Sequence, residues 1–419
     1  MKSTTRNQER SVDNKNLFWN LSLDEWLRLG TLASGVFYVL LTIWTVRHLP
    51  LLTVVGVDFR AFFASAQIAM TSGFAQVYDL TVQREVQKAL MAPYTVGEIR
   101  IMPPLFLPVF IVPFIPFLPL GVLGGFVLWT ILNAGALAIY LLRLASGRGD
   151  RYLLLRLTLV SLPVFLTLLL GQVNVWLLVC VGEFLLAWER RRGFHGGLWL
   201  GGLLLKPQTL ILLIPVLLLR RRWDILAGFT VAAIGIAAAS LALAGPEGMM
   251  RWWDLIIRSS MDSLLATDPI AMGNLRMLGE LLSFLLPPWW AWGITGGLMV
   301  TTILLALWIS IPRKKEENES AFLLPLLGAT SAVAWHSHIH MAVILIPPLL
   351  HQVITTRRLS LFALWALLPT AAYFLGITGM ALLTAIGKPL LPIPGFTYPA
   401  LVLLGLHLYL VVRAIWRDH

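Results

Sequence analysis

One aspartate stands directly behind the first long apolar run of the chain, in the segment Gly56-Val57-Asp58-Phe59. An ionised carboxylate beside a bilayer is costly in free energy, and where one occurs it usually has a function. We therefore expect Asp58 to carry the chemistry of this protein. The alternative is a solvated loop aspartate that merely follows the end of a helix.

Amide and amine side chains interrupt two later apolar runs. Gln172 and Asn174 can hydrogen-bond a polar ligand at the membrane edge, or they can hold helices together, as amides commonly do in membranes. Lys206 is a lone cation about as far from one basic cluster as from the next, so its amine has a long route to water. A lysine in this setting favours an anionic partner such as a lipid phosphate. The alternative is a lysine that snorkels to the surface.

Three histidines, His336, His338 and His340, alternate in a short polar segment between two apolar runs. Alternating ligands suit a metal ion only on an extended segment, and no carboxylate or thiol stands nearby in the sequence to complete a site. We therefore expect these histidines to hydrogen-bond or to bind phosphate, and we assign no metal ligand.

The composition places these residues in a membrane protein. Of 419 residues, 58% are hydrophobic and 13% are charged. Apolar runs of about 18 or more residues, each long enough to cross a bilayer, recur along the chain. The net charge of +11 comes from clusters at the ends of these runs, a pattern typical of cytoplasmic loops and not of nucleic-acid binding. The sequence has no glycine-rich phosphate loop or Walker lysine, so a cytosolic nucleotide site is not supported.

The sequence predicts an all-α polytopic membrane protein with one bundle of about ten to twelve transmembrane helices. Residues 1–29 are expected to form a cytoplasmic segment that includes an interfacial helix. Residues 30–415 are expected to form a single transmembrane domain in the cell membrane. The basic clusters, placed inside, put Asp58 and the histidine segment together on the extracytoplasmic side.

The first extracytoplasmic loop is predicted at 50–102. It contains two short amphipathic stretches, at 59–70 and 81–91, which we expect to lie as helices on the membrane surface.

The number of membrane spans is ambiguous in two later regions. The proline-rich region 102–142 fits either a broken helix with a full span or two spans. The region 193–219 fits two half-helices that meet at Lys206-Pro207.

The polar segments follow one another in the order and spacing of a known family. They are Asp58 to Asp79, Met102 to Leu105, Gly171 to Asn174, Gly201 to Pro207, Asn274 to Arg276 and Trp335 to His340. In these segments the chain resembles the polyprenyl-phosphate-sugar-dependent glycosyltransferases of GT-C type, specifically glycosyltransferase family 87, which includes bacterial mannosyltransferases and arabinofuranosyltransferases. Met102 stands where that family has Tyr, and His336 or Ser337 stands where it often has Asp.

The resemblance implies a GT-C-like bundle and a hexosyl or pentosyl transferase, with mannose or arabinose as the expected sugar. An acceptor hydroxyl would attack the anomeric carbon of an isoprenoid-phosphate sugar and invert its configuration, with Asp58 as the general base. The scheme requires no metal or other cofactor. The residues expected to bind the donor phosphate or sugar are Lys206, Arg276, His336, His338, His340, Gln172, Asn174 and Asn274.

The expected partners are a polyprenyl-phosphate sugar, a lipid or glycan acceptor and membrane lipids, with no nucleic acid. A second class of protein fits the same residues. A transporter or flippase of a lipid-linked sugar would use Lys206 and the histidines to escort the phosphate, and Asp58 would then be structural. Release of polyprenyl phosphate in the presence of an acceptor distinguishes the two.

Overall fold

The computed structural model describes residues 22–94, 100–261, 270, 272–311, 320–385 and 395–417. These residues are helical apart from their connecting segments and one isolated bridge between Met272 and His338, which confirms the predicted all-α class. The α-helices are α1 (Leu23–His48), α2 (Val57–Ser72), α3 (Leu80–Met91), α4 (Gly121–Leu144), α5 (Arg151–Leu159), α6 (Leu162–Leu170), α7 (Asn174–Glu189), α8 (Gly193–Gly201), α9 (Leu213–Leu219), α10 (Trp223–Met261), α11 (Leu275–Ser283), α12 (Pro288–Ile309), α13 (Leu323–Val333), α14 (Ile346–Thr356), α15 (Ser360–Ala385) and α16 (Thr397–Arg417).

Seven helical stretches in the described part of the chain are long and apolar enough to cross a membrane. An eighth results if α5 and α6, which meet at 58°, form one span. Three shorter apolar stretches account for other apolar runs of the sequence, and the polytopic membrane fold is confirmed. The seven stretches are Leu23–His48, Pro108–Leu144, Trp223–Ser259, Pro288–Ile309, Ile339–Thr356, Ser360–Thr384 and Thr397–Trp416.

The first span begins earlier than the sequence predicts. Ser22 and Glu25 form a capping box, and α1 then continues unbroken to His48. The described part of the expected interfacial helix is therefore the beginning of the span itself, because the cap starts one continuous helix. The rest of that predicted segment, and the basic cluster at 313–315, lie outside the described residues.

Both short helices predicted in the first loop are present, as α2 and α3. The expectation that α2 lies on the membrane surface is wrong, since most of its side chains are buried in protein. Phe62 stacks on Phe114 with ring centroids 4.5 Å apart, and Phe59 lies 6.0 Å from Phe126. These aromatic contacts hold α2 against the stretch 108–120 and α4, inside the protein.

The proline-rich region is a 3₁₀ helix, Pro108–Leu120, followed by the full-length helix α4. Pro113, Pro116 and Pro119, three residues apart, remove N–H donors that an α-helix would need, so the tighter helix forms instead. The entry to this region is fixed by the buried Gln87. Its amide donates to the carbonyl of Met102 at 2.9 Å and accepts from the N–H of Met102 at 3.1 Å.

The region 193–219 is broken at Lys206, as the sequence predicts. One apolar stretch ends at Leu205 and the next begins at Pro207. Lys206 itself has φ −140° and ψ 78°, which is outside the helical range. Because a residue before proline is disfavoured in the helical conformation, Lys206-Pro207 ends one half-helix and starts the other. The lysine side chain therefore projects from a turn.

Basic residues follow the ends of three helices. One of these residues in each case has a left-handed backbone conformation: Arg191 after α7, Arg221 after α9 and Arg357 after α14. These ends lie together. The Arg222 guanidinium lies 4.1 Å from the centre of the Trp188 ring, and Glu189 contacts His351 at 3.0 Å. We call this the basic end of the protein. Cations here also complement the negative ends of the helix dipoles.

Candidate active site

Asp58 lies in the first turn of α2, next to the end of α6. Gly56 directly precedes the helix, and glycine adopts its left-handed φ of 73° without strain. The N–H of Gly56 donates to the carbonyl of Leu169 at 2.8 Å. The carboxylate benefits from the positive end of the helix dipole. Its side chain is 9% exposed, so α2 places an ionisable group inside the protein.

Gly171 brings the turn after α6 against α2. It has φ 74°, and a Cβ at this position would lie 2.6 Å from the Cβ of Phe59. Its carbonyl accepts a hydrogen bond from the Trp129 indole at 3.1 Å. The absence of a side chain at Gly171 therefore permits Gln172 to approach Asp58.

The Gly171→Ala variant is expected to lose both stability and activity. The added Cβ must displace Phe59 or the turn, which costs about 1–3 kcal/mol by overpacking, and a shift of Asp58 by 1 Å costs about 10²-fold in rate. The melting temperature and kcat of the purified variant measure the two effects. Gly135→Ala, at a helical position with no atom within 4 Å of the new Cβ, is the matched control. Equal behaviour of the two variants contradicts the close approach.

Lys206 and Gln172 meet beside the Asp58 carboxyl group. The Lys206 amine donates to Gln172 Oε1 at 2.9 Å and to the sulfur of Met341 at 3.4 Å. Burial raises the pKa of Asp58, while the charge of Lys206, a hydrogen bond from Gln172 and the charge of Arg60 act in the opposite direction. The structure thus brings three sequence-predicted residues from three separate segments into one cluster.

Two of the predicted amide ligands bind protein backbone. Asn174 is fully buried, and its amide donates to the carbonyl of His340 at 3.0 Å. Asn274 is also fully buried; its amide donates to the carbonyl of Ala334 at 2.7 Å, and its oxygen accepts from the N–H of Met277 at 3.2 Å. These contacts position the two ends of the histidine segment, and donor binding by either amide stays a prediction.

The histidine segment is held in an extended conformation around position 338. His338 forms the isolated bridge with Met272, and the N–H of Gly273 donates to the carbonyl of Ser337 at 3.0 Å. The rings of His338 and His340 stack with centroids 5.4 Å apart. In the described part of the chain no group of three or more His, Cys, Asp or Glu side chains is arranged to hold a metal ion.

Cations surround His338. Burial, together with the charges of Lys206, Arg100 and Arg276 and the neighbouring His336, lowers the pKa of His338 to about 3. His338 is therefore neutral at physiological pH and retains one N–H donor. A neutral donor among three cations is a suitable environment for an anionic ligand such as a phosphate.

Arg100 is the member of this cluster that sequence reasoning missed. It stands outside the recognised motifs, and its position depends on a long-range contact. The buried Arg60 donates to the carbonyl of Leu52 at 3.1 Å and to that of Arg100 at 2.8 Å. Arg60 thus joins the start of the first loop to its end. The only signal in the sequence is a basic residue two positions before Met102-Pro103.

The comparison with protein families gives one result. The model of glycosyltransferase family 87 matches residues 103–335, more than half of the chain. The matched range contains Lys206 and Arg276, but it begins after Asp58 and ends before His336. Neither the curated proteins nor the solved structures contain a match. The family match agrees with the resemblance in the polar segments and with the helical membrane fold. The chain belongs to glycosyltransferase family 87.

Proposed function

We propose that this membrane glycosyltransferase moves a sugar, mannose or arabinose, from a polyprenyl phosphate to a hydroxyl of a lipid or glycan acceptor. The observation that carries the proposal is the juxtaposition at Lys206. The same amine faces the Asp58 carboxyl group and the neutral His338. A carboxylate that can accept a proton and a cationic site that can receive a phosphate therefore adjoin each other.

The transfer is a single displacement. The acceptor hydroxyl gives its proton to the Asp58 carboxylate while its oxygen bonds to the anomeric carbon from the face opposite the phosphate. The bond between the anomeric carbon and the phosphate oxygen breaks, and its electron pair stays on the phosphate. General-base catalysis of this kind supplies about 10²–10⁴-fold in rate. The leaving group gains a negative charge, which Lys206 and Arg100 stabilise.

The length of α7 supports an extracytoplasmic site in the cell membrane. Asn174 begins this helix beside the candidate site, and Glu189 ends it at the basic end. Sixteen residues of α-helix span about 24 Å, most of the hydrocarbon thickness. Basic ends of membrane proteins face the cytoplasm, so the opposite end of α7 faces outward.

The proposal is tested with purified protein, a set of polyprenyl-phosphate sugars and a lipid or glycan acceptor extracted from membranes. We expect release of polyprenyl phosphate that depends on the acceptor, with transfer of the sugar. A protein that releases none with either a mannosyl or an arabinosyl donor contradicts the proposal. A flippase would move the donor across vesicle membranes without cleaving it.

The pH dependence of transfer should report the state of Asp58. The base acts only when deprotonated, so kcat/KM is retained above its pKa and lost as the pH falls through it. Because burial raises this pKa, the acidic limb should lie above the ordinary aspartate value of 3.8. A pH–rate profile of the purified enzyme measures this limb. A profile that stays flat down to a pH of about 4 contradicts a buried carboxylate base.

A further inference from the structure

Trp335 presents a large aromatic side chain at the protein surface, at the edge of the candidate site. It lies in the non-helical segment between α13 and the histidines and is 47% exposed. Its backbone carbonyl accepts a hydrogen bond from Asn274 at 3.3 Å, and the next carbonyl, that of His336, accepts one from Gln208 at 3.3 Å. Gln208 stands two residues after Lys206, so the ring is held near the donor site.

The Arg276 guanidinium lies over the Trp335 ring, 4.4 Å from its centre. Its Nε and Nη1 atoms are buried and have no hydrogen-bond partner among the described residues. A buried donor without an acceptor costs about 1–3 kcal/mol, more for a charged group. A shift of the guanidinium toward a ligand with closely spaced oxygen atoms beside the indole ring would remove that cost.

The aromatic side chain has support from a second tryptophan. The Trp292 ring lies 6.2 Å from that of Trp335 at 29°, and Trp292 itself packs against α11, where a Cβ on Gly279 would lie 2.8 Å from its ring. Packing on α11 and hydrogen bonds to the backbone together fix the position of Trp335. An exposed ring held in this way costs little conformational entropy when a ligand binds.

We propose that Trp335 and Arg276 form a subsite for a sugar ring of the acceptor, so that the acceptor is a glycan. The inference rests on the proposed function and specifies its acceptor. The apolar C–H face of a sugar packs on an indole ring, and its adjacent hydroxyls accept hydrogen bonds from the guanidinium fork. The charge of Lys206, and not that of Arg276, acts on the Asp58 carboxyl group, so this subsite is beside the reacting centre and not at it. Sugars of the acceptor other than the one that is glycosylated bind at Trp335 and Arg276.

The direct test is binding of an unactivated sugar, which requires no turnover. Saturation-transfer NMR on the detergent-solubilised protein, with methyl α-mannopyranoside and methyl α-arabinofuranoside as probes, should show contact in the wild type. The signal should fall at least about fivefold in Trp335→Ala and persist in Trp335→Phe, because the aromatic contact carries it. Trp289→Ala, which removes another exposed tryptophan, 67% exposed at the start of α12, is the matched control and should keep the signal.

Kinetics give a second readout. Trp335→Ala should raise the KM for the acceptor and leave the KM for the donor unchanged, and Trp335→Phe should restore it. Replacing a tryptophan that only anchors the protein in the membrane would instead lower the melting temperature, as we expect for Trp289→Ala, and leave both KM values unchanged. Equal probe signals in wild type and Trp335→Ala, or none in the wild type, overturn the subsite. Probe binding without any transfer refutes the proposed function and keeps the subsite.

Discussion

Replacing Asp58 with Asn should lower sugar transfer by at least about 10²-fold, the lower end of what a general base supplies. The amide has nearly the same shape and keeps one hydrogen-bond acceptor, but it cannot take the proton of the acceptor hydroxyl. Donor binding should stay near normal at a pH well below the Lys206 pKa of about 8, where the amine keeps its positive charge and His338 is unchanged. The measurement is initial-rate kinetics on purified protein, with donor binding measured separately.

The melting temperature shows whether the Asp58→Asn variant is folded. Burial raises the pKa of Asp58, so a neutral amide there is expected to be tolerated, and the melting temperature should change little. Asp254→Asn makes the same chemical change on an exposed side chain of α10 and should leave transfer unchanged. A folded Asp58→Asn enzyme that transfers sugar at close to the normal rate would falsify the base mechanism.

Replacing Lys206 with Met should raise the apparent KM for the donor at least about tenfold, since a charge-assisted hydrogen bond contributes about 1.5–3 kcal/mol. Methionine keeps most of the side-chain length and removes the positive charge that faces both Asp58 and His338. Loss of this charge should also move the acidic limb of the pH–rate profile upward, because Lys206 lowers the pKa of Asp58. Donor titrations at several pH values measure both effects.

Two variants make the Lys206 result specific. Lys206→Arg retains the charge and should bind the donor better than Lys206→Met does. Lys88→Met removes an exposed lysine of α3 and should leave donor KM and the pH profile unchanged. If Lys206→Met behaves as Lys88→Met does, Lys206 has only a structural role and the phosphate must bind elsewhere.

Features that depend on local chemistry could be predicted from the sequence. The break at Lys206-Pro207 follows from the conformation that a proline imposes on its neighbour. The two short helices after the first span follow from their amphipathic spacing. Asp58 and the histidine segment were expected on one side of the membrane because basic clusters set the orientation of the loops.

Features that depend on tertiary partners could not be predicted. The burial of α2 requires the aromatic side chains of the stretch 108–120, far along the chain. The contacts of Asn174 and Asn274 with backbone carbonyls are equally long-range. The sequence does not distinguish a membrane amide that binds a ligand from one that binds a backbone carbonyl. Arg100 is tied to the start of the first loop by the hydrogen bond from Arg60 to its carbonyl, which is also a long-range contact.

The arginines with a left-handed backbone conformation at the basic end have a consequence for the insertion of this protein into the membrane. Arg191, Arg221 and Arg357 adopt a backbone conformation that glycine adopts freely and that other residues adopt at a cost. Glycine at these positions should therefore stabilise the helix ends. It should also weaken the retention of these loops on the side proposed to be cytoplasmic during insertion, since each replacement removes one positive charge. Local stability and correct orientation in the membrane thus make opposite demands on the same three residues, and the arginines meet the second.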